Sequence, residues 1–252
     1  MSHYENVSSF ERNLIGNDYV VGDIHGSLNK LERAMALVGF NFETDRLFCT
    51  GDLIDRGGDN LQVLKTLKDS SWFYSIKGNH EQLLLDHFEG EVDPFLPVNP
   101  VKNHVQNGGR WFFNLREDTR QRVYSQIKAL PLVIEIETSY GRIGLVHAEV
   151  GRGYTDWGHF VSQIHKKSNQ FDAMWSVEII RDHKKGKGIP FISREIHGQN
   201  KLPGIDFLIH GHYLVEEPFF IGNRYFIDTG LNTGEITIVK IENLPSLSFS
   251  VV

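Results

Sequence analysis

Cysteine is almost missing from this chain: Cys49 stands alone among 252 residues. One thiol forms no internal disulfide and cannot build the Cys-rich shell that structural zinc favours. Its neighbours Leu47 and Phe48 are apolar, so Cys49 reads as a core thiol and not as a nucleophile. A basic excess is missing too. Twenty-six Lys and Arg against thirty-two Asp and Glu leave a net charge of −6, which offers no general attraction for nucleic acid. No apolar run reaches membrane-spanning length, and no basic segment leads into an apolar one near Met1. Neither a membrane anchor nor an export signal is expected, and the cytoplasm is the expected compartment. With no internal repeat and no linker-like stretch, residues 1–252 are expected to form a single domain.

What is present is a series of short polar clusters, most of them closing an apolar run. They are Asp23-Ile24-His25-Gly26, Gly51-Asp52-Leu53-Ile54-Asp55-Arg56-Gly57, Gly78-Asn79-His80-Glu81, His147-Ala148-Glu149 and His210-Gly211-His212. Strands are predicted at 18–21, 47–50 and 72–76, and helical spacing follows each cluster: Leu28, Leu31, Met35 and Val38, then Leu61, Leu64 and Leu67, then Leu83 onward. Strand, cluster, helix, repeated, is the pattern of a largely parallel α/β sheet, which binds ligands at its strand C-termini. Farther on, 90–105 reads as a loop, 119–129 as a helix, and 132–136 with 142–146 as a hairpin. Residues 151–205 read as a surface excursion near the site. Strands are expected again at 207–210, 225–228, 235–241 and 247–252.

The clusters supply the oxygen and imidazole donors that divalent transition metals take. Asp23 and His25, two apart on an extended segment, can face one pocket. Asp52 is placed to bridge two cations, Asn79 offers a neutral oxygen, and His147 and His212 complete a second shell. Two adjacent cations lower the pKa of a shared water and neutralise phosphate oxygens during in-line attack. Phosphate monoesters need enzymatic accelerations of up to roughly 10²¹, whereas one general base contributes about 10²–10⁴, so the chemistry favours attack by a two-metal-bound hydroxide. His80 is placed to protonate the leaving oxygen, Asp55 to hold its tautomer and Arg56 to grip phosphate.

These clusters resemble the metallophosphoesterase superfamily, in its phosphoprotein phosphatase branch and the group of the phage lambda enzyme and its bacterial relatives. That branch shows Asp-x-His-Gly, Gly-Asp-x-x-Asp-Arg-Gly, Gly-Asn-His-Glu, His-Ala and Gly-His in this order. The phrases Asn107-Gly108-Gly109-Arg110-Trp111-Phe112-Phe113-Asn114-Leu115 and Tyr225-Phe226-Ile227-Asp228-Thr229-Gly230 belong to the same likeness. The resemblance implies a calcineurin-like α/β fold, a central β-sandwich flanked by helices. It also implies two Mn²⁺-type ions, with Fe or Zn compatible, and hydrolysis of phosphoserine, phosphothreonine and often phosphotyrosine in proteins. One metal would take Asp23, His25 and Asp52, and the other Asp52, Asn79, His147 and His212.

Two departures stand out. Relatives carry a phosphate-binding arginine in a Trp-x-Arg phrase, but Trp175-Ser176 is followed here by Val177. Arg181, four residues on and on the same helical face, is expected to replace it. Lys77 also stands where relatives often have Arg, and His210 is expected to be structural. Symmetrical diadenosine tetraphosphate hydrolases of the same superfamily are the rival reading. They typically have Ala at the Asp55 position and Asp at the Glu81 position. A nuclease lacks support without aromatic-interleaved basic patches, and a silent phosphoprotein-binding module is disfavoured by the intact donor set.

Overall fold

The computed structural model describes residues 6–151, 153–185, 201–231 and 233–249. Its smaller sheet joins β2 (Asp18–Val21), β3 (Arg46–Cys49) and β4 (Phe73–Ser75) in parallel, with β10 (Ile238–Lys240) antiparallel beside β2. The larger sheet runs in the order β1 (Val7–Phe10), β5 (Val133–Glu137), β6 (Arg142–Val146), β7 (Phe207–His210), β9 (Arg224–Phe226), β8 (Phe219–Ile221). Within it β5 and β6 form the expected antiparallel hairpin, and β6 runs parallel to β7.

Side-chain alternation explains why the two sheets stack. Val20 and Phe48 point inward with Ile76 and meet Ile134, Ile136, Ile143, Leu145 and Ile209 of the larger sheet. Their neighbours Tyr19, Val21, Leu47 and Cys49 point outward into α1 (Leu28–Leu37), α2 (Asn60–Asp69), α3 (Asn79–Glu89) and α6 (Glu117–Lys128). A strand covered on both faces must be apolar throughout, which is why these runs lack a polar alternation. On the far side, Val133, Val146 and Leu208 are covered by Trp157 and Phe160 of α7 (Trp157–Gln163) and by Ala173 and Met174 of α8 (Lys167–Trp175). The result is a helix-flanked β-sandwich, as the resemblance implies. No helix among the described residues is long and apolar enough to cross a membrane.

Several expectations are corrected. Residues 247–252 do not form a strand: Leu244–Phe249 is a helix, α10, and 250–252 lie outside the described residues. Pro245 suits a first helical turn, and Leu244 and Leu247, three apart, both turn toward the core. Residues 151–205 are more than a surface excursion. They hold α7, α8 and α9 (Glu178–Lys185), and Trp157, Phe160, Val161 and Ile164 follow the i, i+3, i+4, i+7 spacing of a packed helix. The part at 186–200 lies outside the described residues. The stretch read as a loop at 90–105 contains α4 (Pro100–His104), capped by Asn99, whose Oδ1 accepts the Lys102 N–H at 2.8 Å. After a π-type turn (Val105–Gly109) comes α5 (Arg110–Phe113). The strand expected at 225–228 is β9 at Arg224–Phe226, and the one at 235–241 shrinks to β10.

Candidate active site

Each cluster sits where a strand ends. Asp23 and His25 follow β2, Asp52 and Asp55 follow β3, Asn79 and His80 open α3, and His147 and His212 follow β6 and β7. Two bonds pull these loops together: Gly211 N–H donates to the His147 carbonyl at 2.9 Å within the larger sheet, and His212 N–H to Asp23 Oδ2 at 2.9 Å between the two sheets. The Ile24 and His25 N–H groups both donate to the Asp52 carbonyl, at 3.1 and 2.8 Å. Gly51 makes the close approach of two loops feasible. Its φ is +102°, and a Cβ there would fall 2.7 Å from the Gly78 nitrogen.

Backbone strain concentrates at the same places. Among the described residues, the non-glycine positions with positive φ are His25 (45°), Asp52 (48°), Asp55 (72°), Arg56 (66°) and His212 (63°). The left-handed conformation costs an L-residue about 1–2 kcal/mol, so the surrounding bonds must over-determine it. All five are residues singled out from the sequence.

The donor atoms fall into two groups that share Asp52. His25, Asp52 and His80 offer ligand atoms within 4.8 Å of one another, and so do Asp52, His147 and His212. His147 Nδ1 donates to the Thr50 carbonyl at 2.8 Å, which leaves the Nε2 lone pair 2.9 Å from Asn79 Oδ1 and 3.4 Å from Asp52 Oδ1. His212 Nδ1 lies 3.1 Å from that same Asn79 oxygen. Lone pairs converging without a proton between them are what a cation resolves. His25 behaves alike: Nδ1 donates to the Ile54 carbonyl at 3.1 Å, and Nε2 accepts from the Arg56 guanidinium at 2.9 Å. Burial lowers the pKa of His25 to about 4 and that of His212 to about 3, and lowers His147 as well. All three rings are thus neutral, the form that ligates metals.

The carboxylates point to the same conclusion. Asp23, Asp52 and Asp228 are at most 3 % exposed, too buried for water to screen them. Burial, then Asp228 and Asp52, push the Asp23 pKa well up, and burial with Asp52 pushes Asp228 to about 7. Burial would raise Asp52 too, but the imidazoles of His147, His80 and His25 outweigh it and hold Asp52 low. Asp228 Oδ1 is buried with no hydrogen-bond partner among the described residues. Carboxylates this crowded and buried raise one another's pKa values, a mutual repulsion that bound cations would relieve, so the site fits divalent metals.

His80 differs from the other rings. Burial alone would lower its pKa, but the carboxylates of Asp52 and Asp55 outweigh it and raise the pKa. Its Nδ1 lies 2.8 Å from Asp55 Oδ2, and Nε2 is buried without a hydrogen-bond partner among the described residues. Histidines in one pocket with pKa values driven in opposite directions separate ligands from proton donor. By distance His80 joins the first donor group, where the sequence places Asp23, while the pairing of its Nδ1 with Asp55 sets it apart from the other rings. Asp23 lies across the pocket, with Oδ1 accepting from the Thr50 hydroxyl at 3.0 Å and 3.9 Å from His147 Nδ1.

Arg56 is exposed and reaches into the pocket at His25. Arg181 stands apart on α9: its half-exposed guanidinium lies 3.7 Å from Glu178. The helix itself is fastened to the site, because Glu149, two residues after His147, accepts the Ile179 and Ile180 N–H groups at 3.0 and 3.1 Å. His210 is packing, as expected: Nδ1 donates to the Val146 carbonyl at 3.2 Å and the ring stacks on Phe226.

Other residues carry site functions that the sequence reading did not assign. Glu81 accepts three buried N–H groups, from Asp52 (2.8 Å), Leu53 (2.9 Å) and Gly78 (2.8 Å), and so staples the second cluster to the third. Asp228 joins the carboxylate cluster, and its signal was the Asp228-Thr229-Gly230 phrase after a strand. His104 and Trp111 reach Asp55. Trp111 lies in the 107–115 phrase without a role read from it, and nothing in the local sequence marks His104, since tertiary packing brings both to Asp55.

The calcineurin-like phosphoesterase family model matches residues 19–216. Serine/threonine-protein phosphatase 2 of Salmonella typhimurium is 34% identical over 228 residues, 89% of this chain and 92% of that protein. The symmetrical bis(5'-nucleosyl)-tetraphosphatase of Pectobacterium carotovorum is 45% identical, but over 73 residues, 29% of this chain and 26% of that protein. A protein serine/threonine phosphatase structure from Saccharomyces cerevisiae superimposes with a TM-score of 0.54 at 14% identity, covering 88% of this chain and 70% of that one, which speaks to the fold. Matched across most of its length, and with the family's fold around a two-group metal-donor site, this chain belongs to the calcineurin-like phosphoesterases.

Proposed function

We propose that this chain is a metal-dependent protein phosphatase that hydrolyses phosphoserine and phosphothreonine, working as one domain over 1–252 in the cytoplasm. The observation that carries this reading is the buried Asp55–His80 pair beside two donor groups that share Asp52. Asp23, His25 and Asp52 would hold one cation, and Asp52, Asn79, His147 and His212 the other, with Mn²⁺ the proposed occupant of both. Bound there, the cations would supply an activated water near neutral pH and offset phosphate charge. Asp55 keeps the His80 Nδ1–H in place, which aims Nε2 at the leaving oxygen for proton donation. Arg56 binds the phosphoryl oxygens through its paired N–H groups. Arg181 provides a second cation for phosphate from the tethered α9.

Protein substrates are favoured by the name and coverage of the Salmonella relative, against the partial tetraphosphatase match. The identities of Asp55 and Glu81 agree with this, since the rival hydrolases typically carry Ala and Asp at those two positions. The test is to strip the protein of metal and add Mn²⁺, Fe²⁺, Zn²⁺ or Mg²⁺ separately, reading phosphate release from a phosphoserine peptide. Release restored best by Mn²⁺ is expected; no release with any ion would refute the reading.

A further inference from the structure

The Asp55 carboxylate is gripped from two sides. Oδ2 faces His80 Nδ1, while Oδ1 accepts the Trp111 indole N–H at 2.7 Å and lies 3.1 Å from His104 Nε2. His104 is held in turn, its Nδ1 2.8 Å from His87 Nδ1, with one proton shared between the two nitrogens. These groups come from the loop after β3, the last turn of α3, the end of α4 and α5. His80, Asp55 and His104 are 0 % exposed. Gly109 of the π-type turn lies flat on the His104 ring, where a Cβ would fall 2.1 Å from Nε2. Neither His104 nor Trp111 belongs to the donor groups around Asp52.

A carboxylate orients an imidazole only as well as it is itself oriented. Held by one bond, it can pivot about its Cβ–Cγ axis and let the ring turn with it. With both oxygens engaged and its backbone N–H donating to Asn60 Oδ1 at 2.7 Å, Asp55 has no such freedom. Supporting shells of this kind are what keep reacting groups in productive geometry.

We infer that His104 and Trp111 are positioning residues for proton transfer: they fix the Asp55 carboxylate so that His80 presents Nε2–H to the leaving oxygen, and His87 fixes the turn of the His104 ring. This rests on the phosphomonoester hydrolase reading. As the ester P–O bond breaks, its electron pair goes to the leaving oxygen, which takes the proton from His80 Nε2. The water oxygen forms the new P–O bond, and the proton shed by that water restores His80. Ester and water enter; alcohol and hydrogen phosphate leave.

The need for a donated proton grows with the basicity of the leaving oxygen. The test therefore compares Mn²⁺-loaded wild type, Trp111→Phe, His104→Ala and His104→Gln on p-nitrophenyl phosphate, phenyl phosphate and a phosphoserine peptide. For W111F and H104A the loss in kcat is expected to rise from a few-fold on the first substrate to about 10²-fold on the peptide, within the range of general-acid catalysis, while KM moves less than about twofold. H104Q, whose amide can still donate to Asp55, should recover most of the rate. An equal loss on all three substrates, or no loss, would overturn the inference. If H104A fails to fold, W111F and H104Q carry the comparison. A second readout needs no turnover: the ring N–H proton signal of His80 in ¹⁵N-histidine-labelled, metal-free protein should move in both W111F and H104Q. An unmoved signal overturns the inference, whereas a wild type inactive on every substrate overturns the hydrolase reading alone.

Discussion

The backbone N–H of His80 donates to Asp52 Oδ1 at 3.0 Å. The proposed bridging ligand and the proposed proton donor are thus held at a fixed separation by one bond between the second and third clusters. Nearby, Glu81 binds the Asp52 and Gly78 N–H groups, so α3 cannot shift without carrying both residues. The site is therefore organised by backbone bonds, and side-chain chemistry is laid over a rigid frame. That frame explains how five non-glycine residues with positive φ persist there.

Removing the staple should be costly. Glu81→Ala strands three buried N–H donors, each worth about 1–3 kcal/mol when left unsatisfied. A loss of about 3 kcal/mol or more is expected, seen as a Tm lower by roughly 6–12 °C for a domain of this size. Glu81→Gln keeps an accepting oxygen and should lose less. Equal thermal melts for wild type and E81A would contradict this role.

Asp52→Asn keeps an oxygen for the His80 N–H but removes the charge common to both donor groups. The variant is expected to fold with a metal-free Tm within a few degrees of wild type, and to lose metal-dependent phosphate release. Wild type at 100 times the metal Kd should gain about 2.7 kcal/mol, or roughly 5–11 °C, and D52N almost none. Thermal scans with and without Mn²⁺ decide it; full activity in D52N would sink the two-metal account.

Asp86 gives a pH signature away from the metals. Burial raises its pKa to about 6 from an ordinary 3.8. Because the folded pKa is the higher one, its neutral form stabilises the fold at low pH, and that contribution is lost as pH rises from about 4 through 6. Discounted for partial exposure, the effect is about 1 kcal/mol. Asp86→Asn should therefore raise Tm at pH 7.5 and leave it nearly unchanged at pH 4. A Tm gain of the same size at both values would exclude the titration.

Arg181→Ala tests the second phosphate contact. A charge-assisted bond of about 1.5 kcal/mol corresponds to roughly tenfold in affinity, so inhibition by product phosphate should weaken about tenfold while metal stoichiometry holds. Unchanged inhibition would leave Arg181 as a surface partner of Glu178.

The site was legible in the sequence to an unusual degree because each cluster is contiguous and closes a strand. Asp23, His25, Asp52, Asn79, His147 and His212 lie near one another, with His80 and not Asp23 beside His25 and Asp52, and Asp55 pairs with His80; their roles as ligands and acid are proposed. The support around them was not legible. His104 and Trp111 reach Asp55 through a π-type turn that no periodicity announces, and Asp228 became chemical once β2 and β9 were stacked in two sheets. At fold level, doubly buried strands read clearly from their apolar runs. The edge strand β1, with Ser8 and Ser9, carries no such run. The helices α7 and α8 hid their apolar face among Lys, His and Ser, and a six-residue helix near the end imitated a strand because both bury leucines at close spacing.

The measurement that tests the central claim most directly is an initial-rate comparison of metal-stripped protein with and without Mn²⁺, offering a phosphoserine peptide and diadenosine tetraphosphate separately. Faster, Mn²⁺-dependent release of phosphate from the peptide is the predicted result. Faster cleavage of the dinucleotide would leave the metal chemistry standing and contradict the assignment of protein substrates.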